Sequence, residues 1–473
     1  MKVSIVATNR CRVPVTVMPI GACRVAEAAA GAGHQVRVLD LMFARDPVRT
    51  MRRHLEEFRP DCVGFSVRNI DNGDLCDPVA YWRDLPDLVR TVRETIGAPV
   101  VLGGGAVSVM PEELLRLTGA DLAVVGEGAG AIVRILSALE RGEKPDSVRG
   151  TAWLQDGSLH LNPPGHDRPI RGPVAPDYHR WVDLNKYARL GAGAPVQTKR
   201  GCPRRCVYCT YPLLEGRCHR MADPGSVADA VERLGRSGIE EVEFVDNVFN
   251  DPPEHALRIC REVARRAAGV RLYTTELSPP GLDGRLLRTM RAAGFCGFGL
   301  TVESACGEVL DGLGKDYGEE EVRRAARAVH GQDLPCLWMY MLGGPGETPD
   351  TVRRTLDFAE RHCRPVDAVV FFPGIRVFPG TPLEQIAREE GRLQAGEVDF
   401  LQPVFYLSPD VEKDRLLRTV RARARRVPGF LAPASRTASF LPFAYRAGRW
   451  LGIRPPLWKH TSTLRRFLAP LGL

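Results

Sequence analysis

The sequence of 473 residues holds no run of eighteen apolar residues, so no transmembrane helix is expected from it. Its opening, MKVSIVATNR, lacks the long apolar core and small-residue cleavage site of a signal peptide and reads as a strand entering a loop. Internal repeats and low-complexity tracts are missing, which excludes a repeat architecture. The ten histidines are scattered without metal-ligand spacing. Most of the thirteen cysteines show no paired spacing either, so no disulfide framework is expected. Free thiols belong in a reducing compartment, and the expected location is cytoplasmic. The net charge of +8 has no aromatic-interleaved basic motif behind it. The late cluster Arg415, Arg418, Arg421, Arg423, Arg425 and Arg426 reads as a solvated helix face, and no nucleic-acid partner is expected.

What is present fits an ordinary globular chain, 44% hydrophobic and 26% charged, long enough for two domains and an appendage. Short apolar strands are predicted at 2–7, 36–40, 61–66, 99–102 and 121–125. Helices over roughly 20–32, 47–58, 78–96 and 129–141, with a short one from Pro111, separate them. That alternation predicts a parallel sheet covered on both faces, with ligands at the carboxyl ends of its strands. Asp156-Gly157 signals a hairpin over 151–162, and 163–177 reads as a Pro- and Gly-rich linker. A second series of strands follows at 195–199, 241–246, 271–275, 296–302, 336–342 and 367–373, with helices such as 225–236 and 317–330 between them. Six such units fit an open barrel, with its chemistry at the strands' carboxyl ends. The expected domains are 1–145, a hairpin and linker at 146–190, a barrel at 191–400 and an extension at 401–473.

The strongest signal is Arg200-Gly201-Cys202-Pro203-Arg204-Arg205-Cys206-Val207-Tyr208-Cys209, just after the first strand of the second series. Three thiolates on one short loop hold three corners of a cubane iron–sulfur cluster and leave the fourth iron open to a small chelating molecule. The alternative is structural zinc, completed by Cys218 and His219, but CxxxCxxC is not the paired CxxC spacing of zinc ribbons.

Over about residues 195–385 the chain resembles the radical S-adenosylmethionine (SAM) superfamily. Tyr208 matches the aromatic before the third cysteine. Glu243-Phe244-Val245-Asp246-Asn247 resembles the segment that meets the methionyl group, and Gly299-Leu300-Thr301-Val302-Glu303-Ser304 the one that reaches the ribose. Leu342-Gly343-Gly344-Pro345-Gly346-Glu347-Thr348 is similar to the turn near the adenine, and Phe378-Pro379-Gly380-Thr381-Pro382-Leu383 to a late family segment. The resemblance implies a 4Fe–4S cluster on Cys202, Cys206 and Cys209. It also implies SAM contacts at Tyr208, Asp246, Asn247, Glu303, Ser304, Gly343 and Gly344.

Together with its upstream five-strand domain, the chain resembles the cobalamin-dependent (B12) members. The fold expected is therefore α/β: a Rossmann-like, flavodoxin-type cobalamin domain, a partial (β/α)6 barrel and a mainly helical tail. The loops that match carry Arg68, Asn69 and Asp71, then Gly104, Gly105 and Glu112, then Gly126, Glu127 and Gly128. Glycines there let the backbone approach a bulky corrin. The Asp-x-His-x-x-Gly loop that ligates cobalt in other cobalamin proteins is absent; Ala7-Thr8-Asn9-Arg10-Cys11-Arg12 stands in its place. Arg68 is a candidate neighbour of the lower cobalt face, where a cation would disfavour a sixth ligand; a surface or nucleotide-tail contact is the alternative.

The chemistry implied is cleavage of SAM to a 5′-deoxyadenosyl radical, hydrogen abstraction, and methyl transfer from cobalamin to an unactivated carbon. The substrate would be a specialised metabolite or a lipid-like precursor. Candidate substrate residues are Tyr273, Glu276, Trp338 and Tyr340 on strands three and five. An electron donor such as flavodoxin or ferredoxin is expected. The alternatives are a non-methylating cobalamin reaction (cyclisation, ring contraction or epimerisation) and a cobalamin- or metal-sensing binding protein. The tail mixes aromatics and cations, but prolines 428, 433, 442, 455 and 456 interrupt any long amphipathic helix. It is expected to pack on the barrel, with weak membrane affinity at most.

Overall fold

The apolar runs of the first third do pair in parallel. The computed structural model describes residues 1–12, 16–165, 174–266, 269–394, 396, 398–431, 448 and 456–463. Strands Lys2–Ala7 (β1), Gln35–Asp40 (β2), Cys62–Ser66 (β3), Val100–Gly103 (β4) and Leu122–Val124 (β5) form the parallel part of the first sheet. Helices Ile20–Gly31 (α1), Pro47–Phe58 (α2), Leu85–Thr95 (α3), Gly105–Val109 (α4), Pro111–Thr118 (α5) and Gly128–Glu140 (α6) connect and follow them. The hairpin Thr151–Gln155 (β6) and Ser158–Leu161 (β7) pairs antiparallel with β5. The hairpin expected in a linking segment is thus part of the first sheet, whose order is β2-β1-β3-β4-β5-β6-β7. Its chain reverses between β1 and β3, the switch point at which such sheets bind ligands.

The helix expected over 78–96 starts only at Leu85. Side chains hold residues 71–79 as a loop instead: Asp71 accepts from the Gly73 amide, Asn72 from Val79 and Asp74 from Cys76. Local side-chain bonds of this kind compete with a helix. Elsewhere the helix starts are capped as the sequence suggests, by Asp46, Asp223, Asp283 and Thr348.

Two short helices, Tyr178–Trp181 (α7) and Leu184–Ala188 (α8), lead into the barrel. Its first units are Ala194–Val196 (β8), Lys199–Arg200 (β9), Tyr211–Glu215 (α9), Arg220–Met221 (β10), Pro224–Arg236 (α10), Glu241–Phe244 (β11) and Pro253–Arg266 (α11). Then come Arg271–Leu277 (β12), Gly284–Ala292 (α12), Phe295–Glu303 (β13), Gly307–Gly312 (α13), Glu319–His330 (α14), Cys336–Leu342 (β14) and Pro349–His362 (α15). Ala368–Pro373 (β15), Ile375–Arg376 (β16), Pro382–Glu389 (α16), Phe405–Tyr406 (β17), Lys413–Arg426 (α17) and Phe430–Leu431 (β18) complete the order. The second sheet is open and fully parallel, ordered β18-β15-β14-β13-β12-β11-β8. The six predicted strands are there, and β18 from the tail is a seventh.

The tail's described part packs on the barrel. Phe430 is fully buried beside Phe371, and Pro456 and Trp458 lie against Gly297. The tail's further aromatics and aliphatics, Phe440, Leu441, Phe443, Tyr445, Trp450 and Leu451, lie outside the described residues. Of the arginine run, Arg423 and Arg426 pair with Glu360 on α15. Among the described residues no helix is long and apolar enough to cross a membrane.

Candidate functional site

The chain leaves β9 directly into the cysteine loop. That loop is pinned on all sides: the Cys202 amide donates to the Gly216 carbonyl at 3.1 Å, Val207 to Leu313 at 3.0 Å, and Gly201 to Glu215 Oε2 at 3.1 Å. Gly201 has φ +82°, and a Cβ there would sit 2.1 Å from the Cys218 carbonyl oxygen, so only glycine serves. Burial pushes the Cys209 thiol up to about 12 and raises that of Cys202, and the other thiols of the loop add to both. Thiols held like this ionise when a cation arrives to neutralise them. Cys218 is exposed, and His219 is turned to the Gly201 carbonyl. Among the described residues no three His, Cys, Asp or Glu side chains converge on a single ion. In a cubane the three thiolates would each bind a separate iron.

Partners in a parallel sheet share a face, so register shows what lines the barrel. Glu243 pairs with Tyr273, and Thr301 with Met339. The Tyr273 hydroxyl receives the Gly193 amide at 3.0 Å and bonds Glu243. Burial pushes the Glu243 carboxyl up to about 7 and that of Glu276 up to about 8; the charges of Glu303 and Glu243 add to the second. Arg68 reaches across from the first sheet and opposes the shift of Glu243. Met341 shares this face with the exposed Phe372. At the end of β13 the register shifts, and Glu303 adopts φ +66°. Its Oε1 accepts from the Tyr208 hydroxyl at 2.6 Å and from Lys315 Nζ at 2.9 Å.

The carboxyl edge of the first sheet faces this mouth. Arg68 and Asn69 after β3 are exposed. Gly104 has φ +105°, and a Cβ there would sit 2.4 Å from the Val67 carbonyl oxygen. Gly105 and Gly126 lie against Leu214 of α9, the helix that follows the third cysteine. The glycine loops and the helix that follows the cysteine loop are therefore in contact.

A family model for the Radical SAM superfamily matches residues 196–359, and one for the B12 binding domain matches 9–136. The tryptophan 2-C-methyltransferase of Streptomyces laurentii is 25% identical over 429 residues, which cover 77% of this chain and 71% of that protein. An uncharacterised methyltransferase of Pyrococcus horikoshii is 25% identical over 338 residues, 69% of this chain and 70% of its own. Among solved structures, the radical SAM methyltransferase TsrM from Kitasatospora setae, with cobalamin and a 4Fe–4S cluster bound, shares the fold. Its TM-score is 0.85 at 24% identity, covering 98% of this chain and 97% of that one.

The chain joins a B12-binding domain to a radical SAM domain and is a cobalamin-dependent radical SAM enzyme. Its cofactors are the 4Fe–4S cluster, SAM and cobalamin. In this radical SAM enzyme the residues expected at SAM divide into two groups. Asn247 keeps a buried Oδ1 without a partner while its amide donates to Glu215 Oε2 at 3.0 Å. Gly343 and Gly344 make a turn so tight that a Cβ on Gly343 would sit 2.4 Å from Leu407. Tyr208 and Glu303 are joined as described. Asp246 does not fit the expectation: it is 1% exposed and takes up the Thr198 amide and hydroxyl, the Lys199 amide and Lys199 Nζ. Ser304 is also consumed, between Thr355 and the Cys306 amide.

Of the residues expected at cobalamin, Arg68, Asn69, Gly104, Gly105, Gly126 and Gly128 lie at the sheet edge. Three others do not present their carboxylates there. Asp71 is buried against Arg376 at 2.8 Å, Glu127 is shared by Arg200 and Arg220, and Glu112 pairs with Arg116 on the outer surface. The Cys202 loop is thereby tied by charge to the loop after β5.

Among the candidate substrate residues, Tyr273 and Glu276 line the barrel but Trp338 and Tyr340 do not. Trp338 pairs in register with Leu300, and its indole N–H donates to Asp367 at 3.2 Å. Tyr340 stacks on Phe371 in the same helix-facing core. Met339 and Met341 are the residues of β14 on the inner face. The sequence reading missed them, along with Glu215 and Lys315, and had Glu243 only within the segment expected at SAM. The register shift at the end of β13, which sets Glu303 opposite Tyr340, hides their parity from the sequence, and Lys315 stands in no motif.

Proposed function

We propose that this enzyme methylates a carbon atom of a small specialised metabolite with an apolar, aromatic body and one hydrogen-bonding nitrogen. The observation that carries the reading is the packing of Leu214, on the helix after the third cysteine, against Gly105 and Gly126. When bound there, cobalamin supplies a transferable methyl group, and the cluster with SAM supplies the one-electron chemistry. Cys202, Cys206 and Cys209 hold the cluster. Asn247, Glu303, Gly343 and Gly344 bind SAM, and Tyr208 orients Glu303. Arg68, Asn69, Gly104, Gly105, Gly126 and Gly128 cradle the corrin, with Arg68 as a non-ligating cation at cobalt.

The substrate's apolar body meets Met339, Met341 and Phe372. Its polar atom meets Glu276 and Glu243. A carbon that gains a methyl group loses a hydrogen, and carboxyls poised near neutral pH are the groups that hold or move a proton at this spot. The same reading puts the enzyme in the cytoplasm, where its thirteen cysteines stay reduced, with electrons from a flavodoxin or ferredoxin.

The test is to incubate the reduced, fully loaded enzyme with SAM carrying a deuterated methyl group and a panel of aromatic metabolites. Label in the product supports the proposal. An unlabelled, rearranged product alongside 5′-deoxyadenosine replaces methylation with a rearrangement. Failure to retain any corrin under anaerobic conditions overturns both.

A further inference from the structure

Lys315 lies where three elements meet, just beyond α13, with its side chain only 7% exposed. A buried ammonium is costly unless its partners are well placed, and here they are. Nζ donates to Glu303 Oε1 at 2.9 Å and to the Tyr208 hydroxyl at 2.8 Å. The Tyr208 and Tyr317 rings face it at 5.1 and 6.0 Å from their centroids. The Tyr208 hydroxyl donates in turn to the same Oε1, at 2.6 Å.

Two donors therefore converge on one oxygen of Glu303. Among the described residues no hydrogen bond reaches the other, Oε2. Glu303 also holds φ +66°, where a residue with a Cβ is disfavoured, and the strand slips register beside it. Such a conformation persists where the surroundings over-determine it, and it collects at ligand clamps. The Lys315–Tyr208 pair is that surrounding. It fixes the carboxylate's rotation and leaves one oxygen uncommitted. Tyr208 stands between Cys206 and Cys209, so the same contact ties this carboxylate to the cluster loop.

We propose that Lys315 is a positioning residue for SAM: with Tyr208 it pins Oε1 of Glu303 so that Oε2 accepts from the ribose hydroxyls. This rests on the reading above that Glu303 faces SAM.

The experiment measures equilibrium binding of SAM, and of a SAM analogue lacking both ribose hydroxyls, to cluster-loaded enzyme. Iron content and the EPR spectrum of the reduced cluster with and without SAM are recorded alongside. Lys315→Met should weaken SAM binding about tenfold or more, because a hydrogen bond to a charged group is lost from its set geometry. It should leave iron content and analogue affinity unchanged. Lys315→Arg should recover most of the loss, and Glu303→Gln should weaken SAM but not the analogue. Wild-type SAM affinity in K315M beside a weakened E303Q overturns the role of Lys315 and keeps that of Glu303. Unchanged binding in E303Q overturns the placement of Glu303 itself. Equal weakening of SAM and analogue in K315M marks a general structural role and overturns the proposal. If K315M does not fold, Tyr208→Phe removes the second donor and should weaken SAM alone; SAM binding at the wild-type level in that variant overturns the proposal.

Discussion

Arg200 and Glu127 meet at 3.0 Å across the boundary between the two sheets, with side chains 8% and 9% exposed. Arg200 stands two residues before Cys202, and Glu127 follows β5 in the glycine loop, so one ion pair joins the cysteine loop to the glycine loop. Arg220 grips the other carboxylate oxygen. Replacing Glu127 by Gln removes the carboxylate that two buried guanidiniums share. The expected loss is about 3–5 kcal/mol of stability, with weaker retention of cobalamin. Urea denaturation and corrin binding check both; a loss no larger than that of an exposed pair would mean that water screens the site.

Cys202, Cys206 and Cys209 are expected to be individually indispensable. Anaerobically reconstituted enzyme should carry about four irons and four sulfides per chain, and Ala at any of the three should abolish the cluster's visible absorbance. Cys218→Ala should not, since that thiol is exposed and outside the loop. Zinc in place of iron would contradict the assignment.

The carboxyls of Glu243 and Glu276 give the enzyme a pH signature. Burial raises their pKa from 4.5 to about 7 and about 8, so the folded state holds protons that the unfolded chain has already released. Their contribution to stability is complete below about 4.5. It shrinks as pH rises and is gone above about 8. Glu276→Gln cannot lose a proton, so its stability relative to wild type should climb between pH 6 and pH 9, as thermal melts across that range would record. A gap independent of pH would show that Glu276 is ionised throughout.

Adjacent residues of β14 should respond in opposite ways. Trp338→Ala empties a site in the helix-facing core and should cost about 3–5 kcal/mol of stability with little change in KM. Met339→Ala or Met341→Ala should leave folding nearly intact and change KM or product pattern. Melting temperatures and steady-state kinetics on the four proteins decide it; a KM effect confined to Trp338 would reverse the assignment of faces.

Much of this architecture is legible in the sequence because it is periodic or local. The strands of both sheets are short apolar runs, the helix starts carry Asp or Thr caps, and the cluster loop is written in ten consecutive residues. What escapes the sequence is set by partners far away in the chain. Asp246, Asp71 and Glu127 sit in the right motifs, but Thr198 and Lys199, Arg376 and Arg200 claim them. Trp338 and Tyr340 fail by parity: one residue along a strand moves a side chain from the barrel interior to the helix layer. Lys315 has no local signal, because its meaning comes from Tyr208 and Glu303.

The barrel's open sheet ends on two very short strands, β8 with three residues and β18 with two. Short edges leave few unpaired backbone groups for another chain to add to. The protection on one side comes late, since β18 covers the edge of β15, including Phe371, and lies far downstream of it. During synthesis that edge stays bare until Phe430 has left the ribosome. A chain cut short after Pro373 would therefore fail first by self-association, before the loss of any cofactor could be measured.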